Sequence, residues 1–201
     1  MLIYMHNTIL DPSPTAFGIS NPDIDDVSPW PGTNDRERFD ALFDWVTAHF
    51  IHKNVTSGNI DDLEFNNPSD IPHSFHELSY EQRTKYTNLE ASTSTGCGGK
   101  LLLCDITAFA ALAKRALFDK ACAETFPNVR VRYMSGGTSA GIFIWVLWVL
   151  KKYAGNPRTW YGQDAEKVRD INIIHHAEGN HCSFWDEPER TIQHYIASIN
   201  L

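Results

Sequence analysis

Residues 129 to 150 read VRVRYMSGGTSAGIFIWVLWVL, and no other stretch of the chain leaves the backbone so little choice. A β-rich run, Val129 to Met134, meets a glycine-rich turn and then an apolar helical run, Ile142 to Tyr153; a second β-rich run follows at Ile171 to His176. Strand, helix, strand in this order is a βαβ unit, which implies parallel pairing through a right-handed crossover. The turn itself contains G-T-S-A-G, Gly137 to Gly141. G-x-S-x-G between a strand and a helix is the context of a nucleophile elbow, so Ser139 is a candidate nucleophile.

A further buried strand is expected at Leu2 to Leu10, ending at Asp11-Pro-Ser-Pro, where the prolines exclude regular pairing. Five of the ten prolines fall between residues 12 and 31, which reads as irregular loop. Phe39, Leu42, Phe43, Val46 and Phe50 then follow helical spacing, with Asn34 or Asp35 as N-cap. Residues 53 to 78 are polar and punctuated by proline. Ser79-x-x-Gln82 opens a short helix to Leu89, and Ser92 to Gly99 is a small-residue loop. One helix is expected from about Leu101 to Ala123, with Ile106, Phe109, Ala110, Ala113 and Leu117 on one face, and another over Glu187 to Ile199. No internal repeat is visible.

With 42% hydrophobic residues in 201, the chain can bury one sizeable core. A formal charge of −8 and a pI near 5.5 give no electrostatic reason to bind nucleic acid or an anionic membrane surface. The longest apolar stretch, Ile142 to Leu150, is far short of the ~20 residues a bilayer span requires. The start, MLIYMHNTIL, lacks the basic region and cleavage site of a signal peptide, and Cys97, Cys104, Cys122 and Cys182 form no C-x-x-C pair. Reduced thiols in a soluble cytoplasmic protein are the expectation. H-x-x-H spacings occur at His49/His52 and His73/His76, the first read on the helix that begins near Asp35 and the second in a loop. Neither has a metalloprotease context, and no metal or cofactor is expected.

The segment INIIHHAEGNHCSFWDEPERTIQHYI resembles the end of an α/β-hydrolase: a last core strand, a Gly-Asn-His turn, then an aromatic and D-x-P-E entering the final helix. The resemblance places the triad histidine on His181, with Phe184, Trp185, Asp186, Pro188 and Glu189 completing the pattern. VRVRYMSGG looks like the penultimate core strand and LIYMHNTILDPSP like the strand before it, so residues 12 to 127 fall where the family inserts a helical cap. The implied fold is α/β, a partial hydrolase core of three parallel strands built from residues 1 to 11 and 128 to 201, with a mainly helical cap over 12 to 127. A histidine on a turn beyond a parallel strand can also reach the carboxyl ends of the sheet, where open α/β sheets place their chemistry.

The family places at least two further strands between elbow and histidine, yet only 42 positions (181 − 139) and one strand separate Ser139 from His181. Ser139 therefore reads better as a helix N-cap or turn residue, and no Asp or Glu lies between Ser135 and Gly141 to serve as triad acid. Asp11 is the alternative acid, or it merely opens its Asp-Pro turn; Asp164 and Asp170 are weaker candidates. The family's earlier strands, oxyanion-hole loop and elbow have no counterpart here, which implies a truncated, inactive hydrolase acting in its complete form on a small apolar ester. The alternatives are a non-catalytic binding or interaction fragment, and a hydrolase that uses Ser139. Strands taken from a larger sheet also leave the 2 to 10 edge bare, an invitation to self-association.

Overall fold

The computed structural model describes residues 6–10, 13–22, 34–86 and 105–199. Its centre is a three-stranded sheet, β1 (His6–Leu10), β2 (Arg130–Gly136) and β3 (Ile171–His176), in the order β1-β2-β3 with both pairings parallel. Ile9 is in register with Tyr133, and Met134 with Ile174. Among the described residues helices outnumber strands: α1 (Asp35–Thr47), α2 (Tyr80–Tyr86), α3 (Ile106–Phe118), α4 (Lys120–Thr125), α5 (Gly141–Gly155), α6 (Pro157–Tyr161), α7 (Ser183–Asp186) and α8 (Pro188–Ile199). The chain is thus mixed α/β with parallel strands. Among the described residues no helix is long and apolar enough to cross a membrane.

Helix α5 joins β2 to β3 and is the element on which the core is built. Its residues Val146, Leu147 and Leu150 share one cluster with Val131 and Tyr133 of β2, Leu117 and Phe118 of α3, and Phe17 and Ile19. Its first turn, Ile142, Phe143 and Ile144, belongs to a second cluster with Phe50, Leu63 and Phe65. A helix buried on two sides has no polar face to spare, which is why the segment reads as apolar all round. The opposite face of the sheet carries Met134 and His176, both with 0% exposure, and α8 lies against it, the His176 and His194 rings 4.7 Å apart.

The described residues of segment 12–127 contribute to two places. Residues 34–86 gather near the loop that follows β2, where Phe50 N donates to Thr138 O at 2.8 Å. The 3-10 turn Pro14–Phe17 and helix α3, by contrast, pack into the same core cluster as β2, and Gly18 approaches Ala110 so closely that an added Cβ would lie 2.3 Å from the alanine Cβ.

Local signals account for most element boundaries. Asn34 caps α1 by accepting from Glu37 N at 3.0 Å, and Ser79 and Gln82 form a reciprocal capping box on α2, with Ser79 N to Gln82 Oε1 at 2.8 Å and Gln82 N to Ser79 Oγ at 3.3 Å. Two expectations are corrected. The helix expected over 101 to 123 is divided at Asp119, whose carboxylate turns back to accept from Cys122 N at 2.7 Å and so caps α4 instead of continuing α3. Helix α1 ends at Thr47, so His49 and His52 lie in the loop beyond it and not on a helix.

Candidate functional site

The loops that follow β2 and β3 meet at the carboxyl ends of the strands, and glycine permits the approach. A Cβ on Gly136 would lie 2.5 Å from Gly179 O, and one on Gly137 would lie 2.2 Å from Ala177 O. Gly141 is similarly tight against Glu64 O, at 2.8 Å. The backbone joins what the glycines allow to touch: Gly137 N donates to His176 O at 2.8 Å, Thr138 N to Gly179 O at 3.0 Å and Gly141 N to Glu64 O at 2.8 Å. The glycines of G-T-S-A-G are therefore explained by close backbone packing on two sides.

Ser139 sits inside this weld with 1% exposure, and its own amide donates to Gly136 O at 3.3 Å. A substrate carbonyl cannot reach a hydroxyl so enclosed. The N-cap of α5 is Ala140, which makes no side-chain cap, so Ser139 is a turn residue and not the cap.

Two histidines from the loop after α1 hold the same turn. His52 Nε2 donates to Ser139 O at 2.8 Å while its Nδ1 accepts from Glu64 N at 2.8 Å. Burial lowers its pKa below the usual 6.5, against smaller opposing effects of the Ser139 bond and Glu64. His49 Nδ1 lies 3.0 Å from Thr138 Oγ1, which in turn donates to Glu178 O at 3.3 Å, so the network assigns the proton to His49 Nδ1. Its Nε2 faces Asn180 Nδ2 at 3.3 Å and Asp186 Oδ2 at 3.8 Å. The His49 pKa is lowered chiefly by burial, with Asp186 and then Glu187 pulling it back up.

Asn180, with 0% exposure, is the hub of this region. Its amide donates to Thr47 O at 2.7 Å and Ser74 Oγ at 2.9 Å, and its carbonyl accepts from Cys182 N at 2.9 Å. Ser74 Oγ donates in turn to Asp186 Oδ2 in a short bond. Serine, histidine and aspartate are thus assembled, but the serine proton points to the carboxylate and not to an imidazole. The arrangement ties residues 47 to 74 to the turn at 180 to 186 and is not a proton relay from serine to histidine.

Beside this polar hub opens an apolar groove of about 460 Å³, lined by Phe39, Phe43, Phe75, Tyr86, Trp185 and His181, among others. Phe75 and Trp185 are in contact with ring centroids 4.3 Å apart, and Tyr86 approaches Trp185 at 5.4 Å. Phe75 holds φ +66°, a left-handed conformation that costs a bulky residue about 1–3 kcal/mol and persists only where its surroundings fix it. Here Phe43, at 5.7 Å, and Trp185 fix it. The His181 imidazole stacks on Phe143 of α5 with centroids 4.6 Å apart and planes 26° from parallel. Arg83 brings one cation to the rim, bound to Asp44 at 2.9 Å.

Of the three site residues expected from sequence, His181 lies on the turn beyond β3 and faces the groove, Ser139 is buried in the turn beyond β2, and Asp11 lies outside the described residues. Sequence reasoning missed His49, Ser74 and Asn180 as a connected set. Asn180 alone had a signal, its place in the Gly-Asn-His turn; the Asn180–Ser74 contact spans 106 positions and has no local signature. His73 Nδ1 and His76 Nδ1 each contact a backbone carbonyl, of Ser74 at 2.7 Å and His73 at 3.0 Å, and among the described residues no group of three or more His, Cys, Asp or Glu is placed to hold a metal ion. No protein-family model matches this chain, and no curated protein and no solved structure matches it.

Proposed function

We propose that this is an α/β-hydrolase-like chain whose aromatic groove binds a small apolar molecule of ester type beside His181, and that the chain binds such molecules without turning them over. The observation that carries the reading is the position of His181, on the turn beyond the carboxyl end of β3 with its imidazole in the wall of the 460 Å³ groove. That is where an imidazole must stand to move protons at a ligand held over the ends of a parallel sheet. Among the described residues no accessible serine stands beside it: Ser139 and Ser74 are 1% and 2% exposed, and the hydroxyl of Ser74 is committed to Asp186. A nucleophile that cannot meet the substrate forms no acyl-enzyme.

Aromatic rings supply the affinity in this reading, since each buries a large apolar area and Arg83 brings a charge to the rim. Calorimetric titration with 4-phenyl-2-butanone, an unreactive stand-in for a small aromatic ester, tests it. Binding should be measurable in the wild-type chain and at least about tenfold weaker in Trp185→Ala, a residue exposed enough to be removed without unfolding the protein. Absence of binding, or equal binding by the variant, would sink the proposal.

A further inference from the structure

His49 stands where the polar hub meets the groove. With its proton on Nδ1, shared with Thr138 Oγ1, the ring carries a lone pair on Nε2, and that lone pair faces an N–H of Asn180 at 3.3 Å. A proton added at Nε2 reverses the sign of this contact. Both atoms are then donors, and the contact that held the ring repels it. Asp186 Oδ2 lies next in reach at 3.8 Å, too far for a hydrogen bond but within the range of an ion pair. Closing that distance to a charge-assisted bond of about 2.8 Å needs a relative shift of about 1 Å between ring and carboxylate.

The charged groups facing His49 favour the exchange. Asp186, at the end of α7, and Glu187, the residue after it, both stabilise the protonated ring, Asp186 the more strongly. Glu187 is already engaged by His176 Nε2 at 3.1 Å and by Arg190 at 3.5 Å, whereas Asp186 holds a neutral hydroxyl, that of Ser74. Thr138 and Asn180, from the loops after β2 and β3, bring neutral groups. The His49 and Asp186 side chains are 15% and 31% exposed, so salt screens their attraction less than that of an open surface pair. Burial nonetheless outweighs both acids, so the ring is neutral at neutral pH and takes its second proton in mild acid.

Asp186 is tied to both halves of one groove wall. Trp185 precedes it in the chain, Ser74 is bound to its carboxylate and precedes Phe75, and the rings of Phe75 and Trp185 meet at 4.3 Å in the wall. Phe75, at φ +66°, depends on these contacts to hold its conformation and cannot follow a displaced neighbour freely. We propose that His49 is an acid switch on the groove: its protonation exchanges Asn180 for Asp186, draws the carboxylate away from Ser74 and loosens the Phe75–Trp185 wall, so that the groove holds an apolar ligand less tightly in mild acid. By reciprocity, a ligand that prefers the neutral ring makes His49 harder to protonate. The affinity change rests on the groove binding an apolar molecule, while the displacement of Trp185 requires no ligand.

The test follows the Trp185 indole N–H and the His49 ring signals of the full chain by NMR from pH 7.5 to 5.0, without ligand. The Trp185 signal should move in step with His49 protonation in the wild type and lose that component in His49→Gln. Asp186→Asn keeps an acceptor for Ser74 but removes the charge, so it too should lose the component, and it decides alone if His49→Gln does not fold. Changes caused by His73 or His181, which also lie beside the groove, persist in both variants and are told apart in this way. Calorimetric titration with 4-phenyl-2-butanone should show binding about fivefold or more weaker at pH 5.5 than at pH 7.5 in the wild type, and a smaller ratio in His49→Gln. No binding at either pH would sink the groove reading and leave the switch to the Trp185 signal. A Trp185 signal indifferent to His49, or one that follows it with equal amplitude in Asp186→Asn, would overturn the proposal, as would binding that is independent of pH.

Discussion

His52 Nε2 stands 2.8 Å from the carbonyl oxygen of Ser139, 87 positions further along the chain. Because Nδ1 of the same ring accepts from Glu64 N, one neutral imidazole bridges two backbone segments that the glycines bring close without side chains of their own. Replacing it with alanine leaves a carbonyl and an amide without these partners in a largely enclosed setting. His52→Ala should lower unfolding stability by about 1–3 kcal/mol. A urea titration checks this: the midpoint should fall with little change in slope, and an unchanged midpoint would refute the bridge.

Acid should act on the same region. Burial holds His49, His52 and His176 below the ordinary histidine value of 6.5, His176 additionally through His194 and Arg190. The unfolded chain therefore takes up protons at these positions before the folded one does. Stability is fully present above pH 6.5, falls as the pH drops through that value, and levels off below the lowered folded-state values. Denaturation midpoints at pH 7.5 and 5.5 should differ in that direction, and the His52→Gln variant should show a smaller difference than the wild type. A midpoint that rises on acidification would contradict the assignment.

Glycine substitutions separate packing from conformation. Gly137→Ala places a methyl 2.2 Å from a backbone oxygen, Ala177 O, which cannot move without displacing the turn that carries His181. Overpacking of this kind should cost about 1–3 kcal/mol or more. Gly155, in the last turn of α5, has nothing within 4 Å of the same added atom, so Gly155→Ala should be neutral or stabilising by up to ~1 kcal/mol. Thermal melts of the two variants should move apart.

The sequence made legible what is decided locally. The caps at Asn34 and Ser79 and the β2–α5–β3 unit follow from side chains within a few positions of one another. Phe50 falls on the apolar period of α1, so the spacing predicts a longer helix than the one that ends at Thr47. That phenylalanine is buried from a loop, its amide bonded to Thr138 O, and a bond across so many residues leaves no trace in the local spacing. Asp119 misled for the opposite reason, since its neighbours keep helical spacing while its short carboxylate captures the Cys122 amide and starts a new helix. The position of His181 was readable because a turn, an aromatic run and a helix follow one another there. The Asn180–Ser74–Asp186 connection was not, since it is made only when the loop at 74 closes on the turn at 180.

Ser74→Ala should expose how that connection works. The substitution removes the donor that reaches Asp186 and the acceptor that Asn180 uses, leaving both partners to find others beside the groove. A loss of about 1–3 kcal/mol in unfolding stability is expected, together with weaker groove binding, because the adjacent Phe75, held at φ +66° in the groove wall, depends on the position of residue 74. If binding of 4-phenyl-2-butanone and stability are both unchanged, the hub does not support the groove.

Ser139→Ala carries the catalytic question to its end. The serine is enclosed by its own turn and by the loop of His52, so it offers a substrate no approach, and its removal should change nothing in hydrolysis of p-nitrophenyl butyrate, which is expected at the buffer rate in both proteins. His181→Ala should also leave that rate at background while altering groove binding, since its ring forms part of the wall and stacks on Phe143. Hydrolysis above background in the wild type that survives Ser139→Ala but is lost with His181→Ala would show turnover through a nucleophile other than Ser139. Hydrolysis lost with Ser139→Ala would require the turn at 136 to 141 to open and release its hydroxyl, a motion the tight contacts of Gly136 and Gly137 oppose.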